Sequence, residues 1–290
     1  MTKLDLLVRA IGKRWLWIQA ALAFAFLYLP ILILIIYSFN ASRFNAVWRG
    51  FTLDWYRSLF SDAGTLGVGT TALMASSSSA GIWTALNNSL LIAAISTLLA
   101  TIFGTTIALA LERFHFPGRK AVEALLFLPI IMPEITIGIS LLVFFTLVFR
   151  IFENLTGIRL NLGLPTVIIG HVAFNISFVT ITVRARLAEL DPTLEQAAFD
   201  LGANEWRTFW RITFPLILPG IFSAALLAFT LSLDDFVVTF FTTGVGSMTL
   251  PLFVYGMIKF AVTPAINAIS TLMLLASLLL VVSSLRVQKT

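Results

Sequence analysis

The sequence predicts an all-α, polytopic membrane protein with about six transmembrane helices and both termini cytoplasmic. Three observations predict it. Of 290 residues, 59% are hydrophobic and only 11% charged, against about 25% charged in soluble domains. The apolar residues fall into six runs, each long enough to cross a hydrocarbon layer of ~30 Å. Lys and Arg are shared unevenly among the joining segments. Thirteen of nineteen lie in 1–14, 112–120, 184–214 and 286–290, and the others are Arg43, Arg49, Arg57, Arg150, Arg159 and Lys259. The richer set belongs on the cytoplasmic side.

Residues 1–14 form a basic cytoplasmic N-terminus with Lys3, Arg9, Lys13 and Arg14. Residues 15–39 are the first spanning helix, roughly 37 Å long at ~1.5 Å per residue. That length exceeds a signal-peptide core, so an uncleaved helix is expected. Residues 40–86 read as a periplasmic loop. It opens with an aromatic set suited to the headgroup level, Trp48, Phe51, Trp55, Tyr56 and Phe60. A Gly/Ser-rich passage from 63 to 81, with Ser76 to Ser79, then buries little surface per residue and is expected to be a mobile loop.

Residues 87–286 hold five further spans, at about 89–111, 121–148, 164–187, 215–241 and 263–285, and residues 287–290 end the chain in the cytoplasm. Gly104, Thr105 and Thr106 let a neighbouring helix come close to the second span. Pro129 and Pro133 kink the third, and 149–163 reads as a short loop. His171 and Asn175 share one face of the fourth, a pattern of interhelical glue.

A polar hairpin, residues 190–215, interrupts the apolar sequence. Asp191 caps a helix with Pro192 in its first turn. Leu194, Ala197, Ala198 and Leu201 form an apolar side, and Gly202 supplies a left-handed stop. Asn204 caps a second short helix with Trp206, Phe209 and Trp210 on one side and Glu205, Thr208 and Arg211 towards the other. Two readings fit this projection: an amphipathic loop resting on lipid headgroups, or a knob that fits a cleft in a soluble partner.

Gln196-Ala197-Ala198, three residues, Gly202, nine residues and Ile212-Thr213-Phe214-Pro215 resemble the EAA loop of ABC-importer permeases. The usual pattern is Glu-Ala-Ala-x-x-x-Gly followed by Ile-x-Leu-Pro. Here Gln196 stands at the glutamate position, after Glu195, and Phe214 replaces the leucine. The resemblance implies a type I ABC-importer permease whose loop docks on an ATPase through Glu195, Gln196, Ala197, Ala198, Asp200, Gly202, Ala203, Trp206, Phe209, Arg211 and Pro215. Phe127 to Leu142 and Leu231 to Leu272 look like spermidine/putrescine permeases. The family implies an ATPase dimer carrying the ATP, a second related permease subunit, a periplasmic binding protein and a small cationic substrate.

Acidic residues at bilayer depth cost at least ~2.5 kcal/mol, so Glu134, Asp234 and Asp235 need a reason. Both Glu134 and Asp235 are placed in the outer half. Asp235 shares a polar line with Ser232, Thr239 and Thr242, and Asp234 aligns with Ser223 and Thr230. One aspartate is expected to face a pathway and the other to pair inside the bundle, and Asp235 is assigned to the pathway. Together with Phe236, Thr239, Phe240 and Tyr255 these acids form the tentative substrate pathway, offering charge and cation–π contacts. The competing reading is that all three acids are scaffold.

The chain contains no cysteine and two histidines, so no metal site is proposed. No GxxxxGK[ST] phosphate loop occurs, so ATP hydrolysis is expected on a separate subunit, with no cofactor and no catalytic residue here. The net charge of +5 reflects topology rather than nucleic-acid binding. A permease for another small solute and an ion-coupled secondary transporter remain as alternatives. The second of these accounts for the acids but gives the hairpin no purpose. A membrane-embedded enzyme lacks a catalytic constellation.

Overall fold

The computed structural model describes residues 3–42, 47–60, 72–260 and 264–288. The chain divides into two units, Met1–Leu66 with Met257–Leu274, and Gly67–Gly256 with Leu275–Thr290. Six helices among the described residues are long and apolar enough to cross a membrane.

In the first unit, α1 (Lys3–Tyr37) carries the 23-residue apolar stretch Trp15–Tyr37. From Trp15 to Leu29 nearly all of its side chains are exposed, as a lipid-facing helix requires. A small polar knot closes its end. Asn40 is fully buried; its amide donates to the Val47 carbonyl at 2.9 Å and accepts from the Ser42 and Arg49 N–H groups. The Trp55 indole donates to the Asn40 carbonyl at 2.8 Å, and Phe39 stacks on Phe51. Trp55 and Tyr56 lie on α2 (Asp54–Phe60), and the Tyr56 hydroxyl meets Ser38 at 2.6 Å. Members of the aromatic set predicted for the headgroup level thus pack on the end of α1 and the residues after it, Trp48 on Tyr37, and Phe51 and Tyr56 on Phe39.

The second unit opens with α3 (Ala72–Arg113), which is 42 residues long. The sequence predicts a loop through residue 86; the helix instead starts at Ala72. Ala is the best helix former, and extending an existing helix avoids nucleation, so the Ala- and Ser-rich run joins it. The remainder of the predicted loop, 61–71, lies outside the described residues.

The predicted third span divides in two. Here α4 (Arg119–Ile131) and α5 (Glu134–Thr156) are separated at Met132, which Pro133 forces into an extended conformation (ψ 141°). The membrane-length helix is α5, so Glu134 stands at a helix start rather than within a span. The predicted loop at 149–163 is helical up to Thr156, where Gly157 (φ 74°) ends it.

Next, α6 (Leu164–Ala188) lies against α3 and α9 (Phe214–Asp234) and is buried on more than one side. Ala100, Ala108, Val179, Val183, Leu187, Ile217, Ala224 and Ala228 form their common core. Its small side chains permit close backbones, the main source of helix affinity in lipid. Gly104 is one point of close approach: a Cβ there would stand 2.7 Å from Val179 and 3.1 Å from the Ile176 carbonyl.

The predicted fifth span also breaks. After α9, Asp235 is extended (ψ 130°), and the six-residue α10 (Val237–Thr242) follows. Completing the chain are α11 (Leu250–Phe260) and α12 (Pro264–Gln288).

Replacing Gly104 by Val should force α3 off α6 and lower the yield and detergent melting temperature of the purified protein by the ~1–3 kcal/mol of an overpacked core. Thr106, exposed and bonded only to its own helix at Ile102, should tolerate valine without a measurable shift.

Candidate functional site

The hairpin between α6 and α9 is built from α7 (Thr193–Asp200), α8 (Glu205–Thr208) and one π-helical turn, Phe209–Thr213. Asp191 accepts the Thr193 N–H at 2.9 Å, and that bond holds its carboxyl below the usual carboxylate range. Gly202 takes φ 82°, which L side chains rarely adopt, and Ala203 N–H closes the turn on the Ala198 carbonyl. Asn204 then accepts the Arg207 N–H at 2.9 Å as the cap of α8. The π turn has a local cause. Pro215 in α9 would clash with the carbonyl four residues back. The wider turn removes that clash, and the Phe214 N–H bonds Phe209 instead.

These devices display an apolar surface. Leu201 is 89% exposed and Trp206 69%, with Leu194, Phe199 and Trp210 also open. Trp206, Trp210, Phe209 and Phe214 stack edge to face or tilted at 4.8–5.9 Å. Gln196, Ala197, Asp200, Arg211 and Pro215 are exposed, and Ala198 is buried. Glu195, a docking candidate in the sequence, is half-buried. It turns inward and bonds Arg113 and Thr213, while the Arg113 guanidinium stands 6.0 Å from the Phe209 ring centroid.

The same end of the unit carries a second ionic group. Arg184 bonds Glu112 at 3.3 Å and Glu123 at 3.0 Å, and Arg119 bonds Glu123 at 3.2 Å. The Arg119 hydrogen bond comes first among the groups that hold Glu123 below its ordinary value. A carboxylate depressed in this way keeps its stabilising contribution above the ordinary range and loses it as pH falls through the lowered value.

At the helix break the two aspartates part company. Asp235 is almost fully enclosed. Its Oδ2 accepts the Thr239 N–H at 2.8 Å and hydroxyl at 2.9 Å, Oδ1 accepts the Val238 N–H at 3.3 Å, and His171 Nε2 lies 3.2 Å away. It caps α10, satisfying donors freed by the break. His171, fully buried, bonds Ser232 through Nδ1 at 2.6 Å, and Ser232 meets Ser96 at 3.0 Å. Its Nε2 also meets the Thr239 hydroxyl at 3.0 Å. The polar line Ser232, Thr239, Thr242 is therefore the buried face of the helix, and Asp235, assigned to the pathway from sequence, is the aspartate held by the bundle.

Asp234 is the open one, accepting among the described residues only from Ser277 on α12 at 2.9 and 3.0 Å. Nearby in sequence, Phe236 packs on Tyr255 at 4.8 Å and on Phe240 at 5.8 Å, the last two half exposed. Glu134 is exposed. Asn175, buried one turn from His171, finds no hydrogen-bond partner among the described residues, so the predicted glue is His171 alone.

Residues 100–289 match the family of inner membrane components of binding-protein-dependent transport systems. The chain belongs to this family. It is a multi-pass inner-membrane transport component. It is 39% identical over 240 residues to the putrescine transport system permease protein PotI of Escherichia coli strain K12, covering 82% of this chain and 78% of that protein. To the spermidine/putrescine permease PotC of the same strain it is 38% identical over 247 residues, 85% of this chain and 83% of PotC. Its fold is that of a bacterial ABC transporter for the acidic polysaccharide alginate (TM-score 0.69, 18% identity, 98% of each chain). The MetNI methionine transporter is a more distant match (TM-score 0.55, 16% identity, 72% of this chain and 94% of that one).

Sequence reasoning missed two groupings in this transport component: Arg113 with Glu195 and Thr213, and His171 with Asp235. Each pairs residues more than 60 positions apart. The only available signal was a charged or polar residue sitting beside an apolar run.

His171→Leu leaves Asp235 and Ser232 buried without that partner. It should destabilise the purified protein by ~1–3 kcal/mol, read as a lower melting temperature in detergent. Asp234→Asn, which alters only an exposed carboxylate, should melt with the wild type. Equal losses in both would contradict the assignment of Asp235 to the interior.

Proposed function

We propose that this chain is one of two related membrane subunits of an ATP-driven importer for polyamines, and that ATP is hydrolysed by a separate dimer seated on the 190–215 hairpin. The observation that carries the substrate is the 38–39% identity to putrescine and spermidine/putrescine permeases over more than four-fifths of the chain. Putrescine and spermidine are flexible multiple cations. An open carboxylate at Asp234, with the faces of Phe236, Phe240 and Tyr255, lowers the barrier for such a cation without enclosing it.

The seat for the ATPase is supported by the exposure of Leu201 and Trp206 on a rigidly capped knob, since open apolar groups of this size call for a partner. The excess of Lys and Arg in 1–14, 112–120, 184–214 and 286–290 supports a cytoplasmic position for the knob and both termini. A periplasmic binding protein delivers the substrate to the opposite side.

With binding protein, ATPase dimer and second permease subunit reconstituted in proteoliposomes, labelled spermidine or putrescine should accumulate on addition of ATP. Asp234→Asn should reduce uptake about tenfold, equivalent to ~1.4 kcal/mol on the barrier, and Trp206→Ala should weaken retention of the ATPase. Uptake of an inorganic anion in place of polyamine would overturn the substrate. Undiminished uptake in Asp234→Asn would remove that residue from the path.

A further inference from the structure

Between the hairpin and α3 lies a cavity of about 400 Å³, lined by Glu112, Arg113, Leu187, Leu190, Glu195 and Thr213 among others. The hairpin is continuous with α6 and α9 but has no covalent link to α3. Among the described residues the hairpin elements pack mainly on one another and on α9 rather than on α3. What crosses is the Arg113 side chain, from the last turn of α3. Its Nη2 donates to Glu195 of α7 and, at 3.1 Å, to the Thr213 hydroxyl at the end of the π turn. Thr213 in turn donates to the same Glu195 oxygen. Among the described residues this is the one ion pair joining hairpin to α3.

The pair is well placed to transmit force. Its side chains are 32% and 28% exposed, so water screens it less than a surface pair. Arg113 sits at a helix C-terminus, where the dipole favours a cation. The preceding residue, Glu112, ties the same helix end to α6 through Arg184, and Arg184 continues to α4 through Glu123. One turn of α3 therefore gathers the hairpin, α6 and α4.

We propose that Arg113, Glu195 and Thr213 form a strut that makes α3 follow the hairpin when the ATPase moves it, so that Glu195 positions the hairpin instead of contacting the partner. This rests on the docking reading above. Without the strut, motion of the hairpin would still reach α6 and α9 through the chain but would leave α3 behind, and the core at Gly104 would have to slip.

The test uses the complete transporter in proteoliposomes with labelled spermidine, measuring uptake, ATP hydrolysis and ATPase retention together. Arg113→Ala should retain the ATPase at the wild-type level and hydrolyse ATP, while uptake per ATP falls roughly fivefold or more. Glu195→Arg combined with Arg113→Glu should bring uptake per ATP back to within about twofold of wild type, as expected for two interacting sites. A purely structural role would lower yield and melting temperature without changing uptake per ATP. Wild-type uptake per ATP in Arg113→Ala overturns the strut. So does loss of the ATPase in that variant, or a double variant no better than either single one. If the wild-type chain itself retains no ATPase, the docking reading fails, and the strut falls with it for that separate reason.

Discussion

Gly104 lets the backbone of α3 meet α6 where any side chain would collide with Val179, and both candidate sites hang on that contact. In lipid there is no water to drive apolar helices together, so close packing and hydrogen bonds must hold the bundle. The two helices run side by side in the same direction. Ser96 reaches the network of His171 near one end of the contact, and Arg113 reaches the hairpin near the other. A shift along this seam would disturb both together, which links the region of the helix break to the region of the hairpin.

The break after Asp234 follows from the same constraint. Backbone groups inside a bilayer must find partners within the protein, so a spanning helix is interrupted only where side chains take up the freed donors. Asp235 does this with the N–H groups of Val238 and Thr239, and His171 bridges the two halves by bonding Ser232 on one side and Thr239 on the other. A buried carboxylate needs such partners, because an unpaired one costs several kcal/mol. With Asp235 so engaged, its neighbour Asp234 is left pointing out of the core. Two adjacent aspartates thereby acquire different environments from a turn of about 100° per residue.

Much of this was legible in the sequence because it is local. The six apolar runs, the Asn204 cap, the left-handed Gly202 and the close approach at Gly104 each follow from a few neighbouring residues. The misread segments have local causes too. Ala72 to Ala80 looked loop-like because it is small and polar, yet it adjoins a long helix that extends into it at little cost. Pro133 was read as a kink, whereas its effect on Met132 stops the helix. The break at Asp235 has no proline or glycine to announce it, since the competing hydrogen bonds come from a side chain. Polar lines such as Ser232, Thr239 and Thr242 were found correctly, but periodicity cannot say whether such a line faces a core or a passage. Here His171, from another helix, decides it. The pairing of Glu195 with Arg113 left no mark in the sequence, since the two lie far apart along it.

The hairpin is the point at which family, fold and chemistry meet. Its caps and its π turn hold an exposed leucine and two tryptophans in fixed positions outside the membrane-length helices. The central claim is that this face is covered by an ATPase rather than by lipid headgroups. A photo-activatable benzophenone side chain placed at Leu201, irradiated in native membranes, tests it most directly. The account predicts a covalent adduct with the ATP-hydrolysing subunit, one that disappears when that subunit is stripped from the membrane. Adducts with phospholipid alone, unchanged by removing the ATPase, would contradict it.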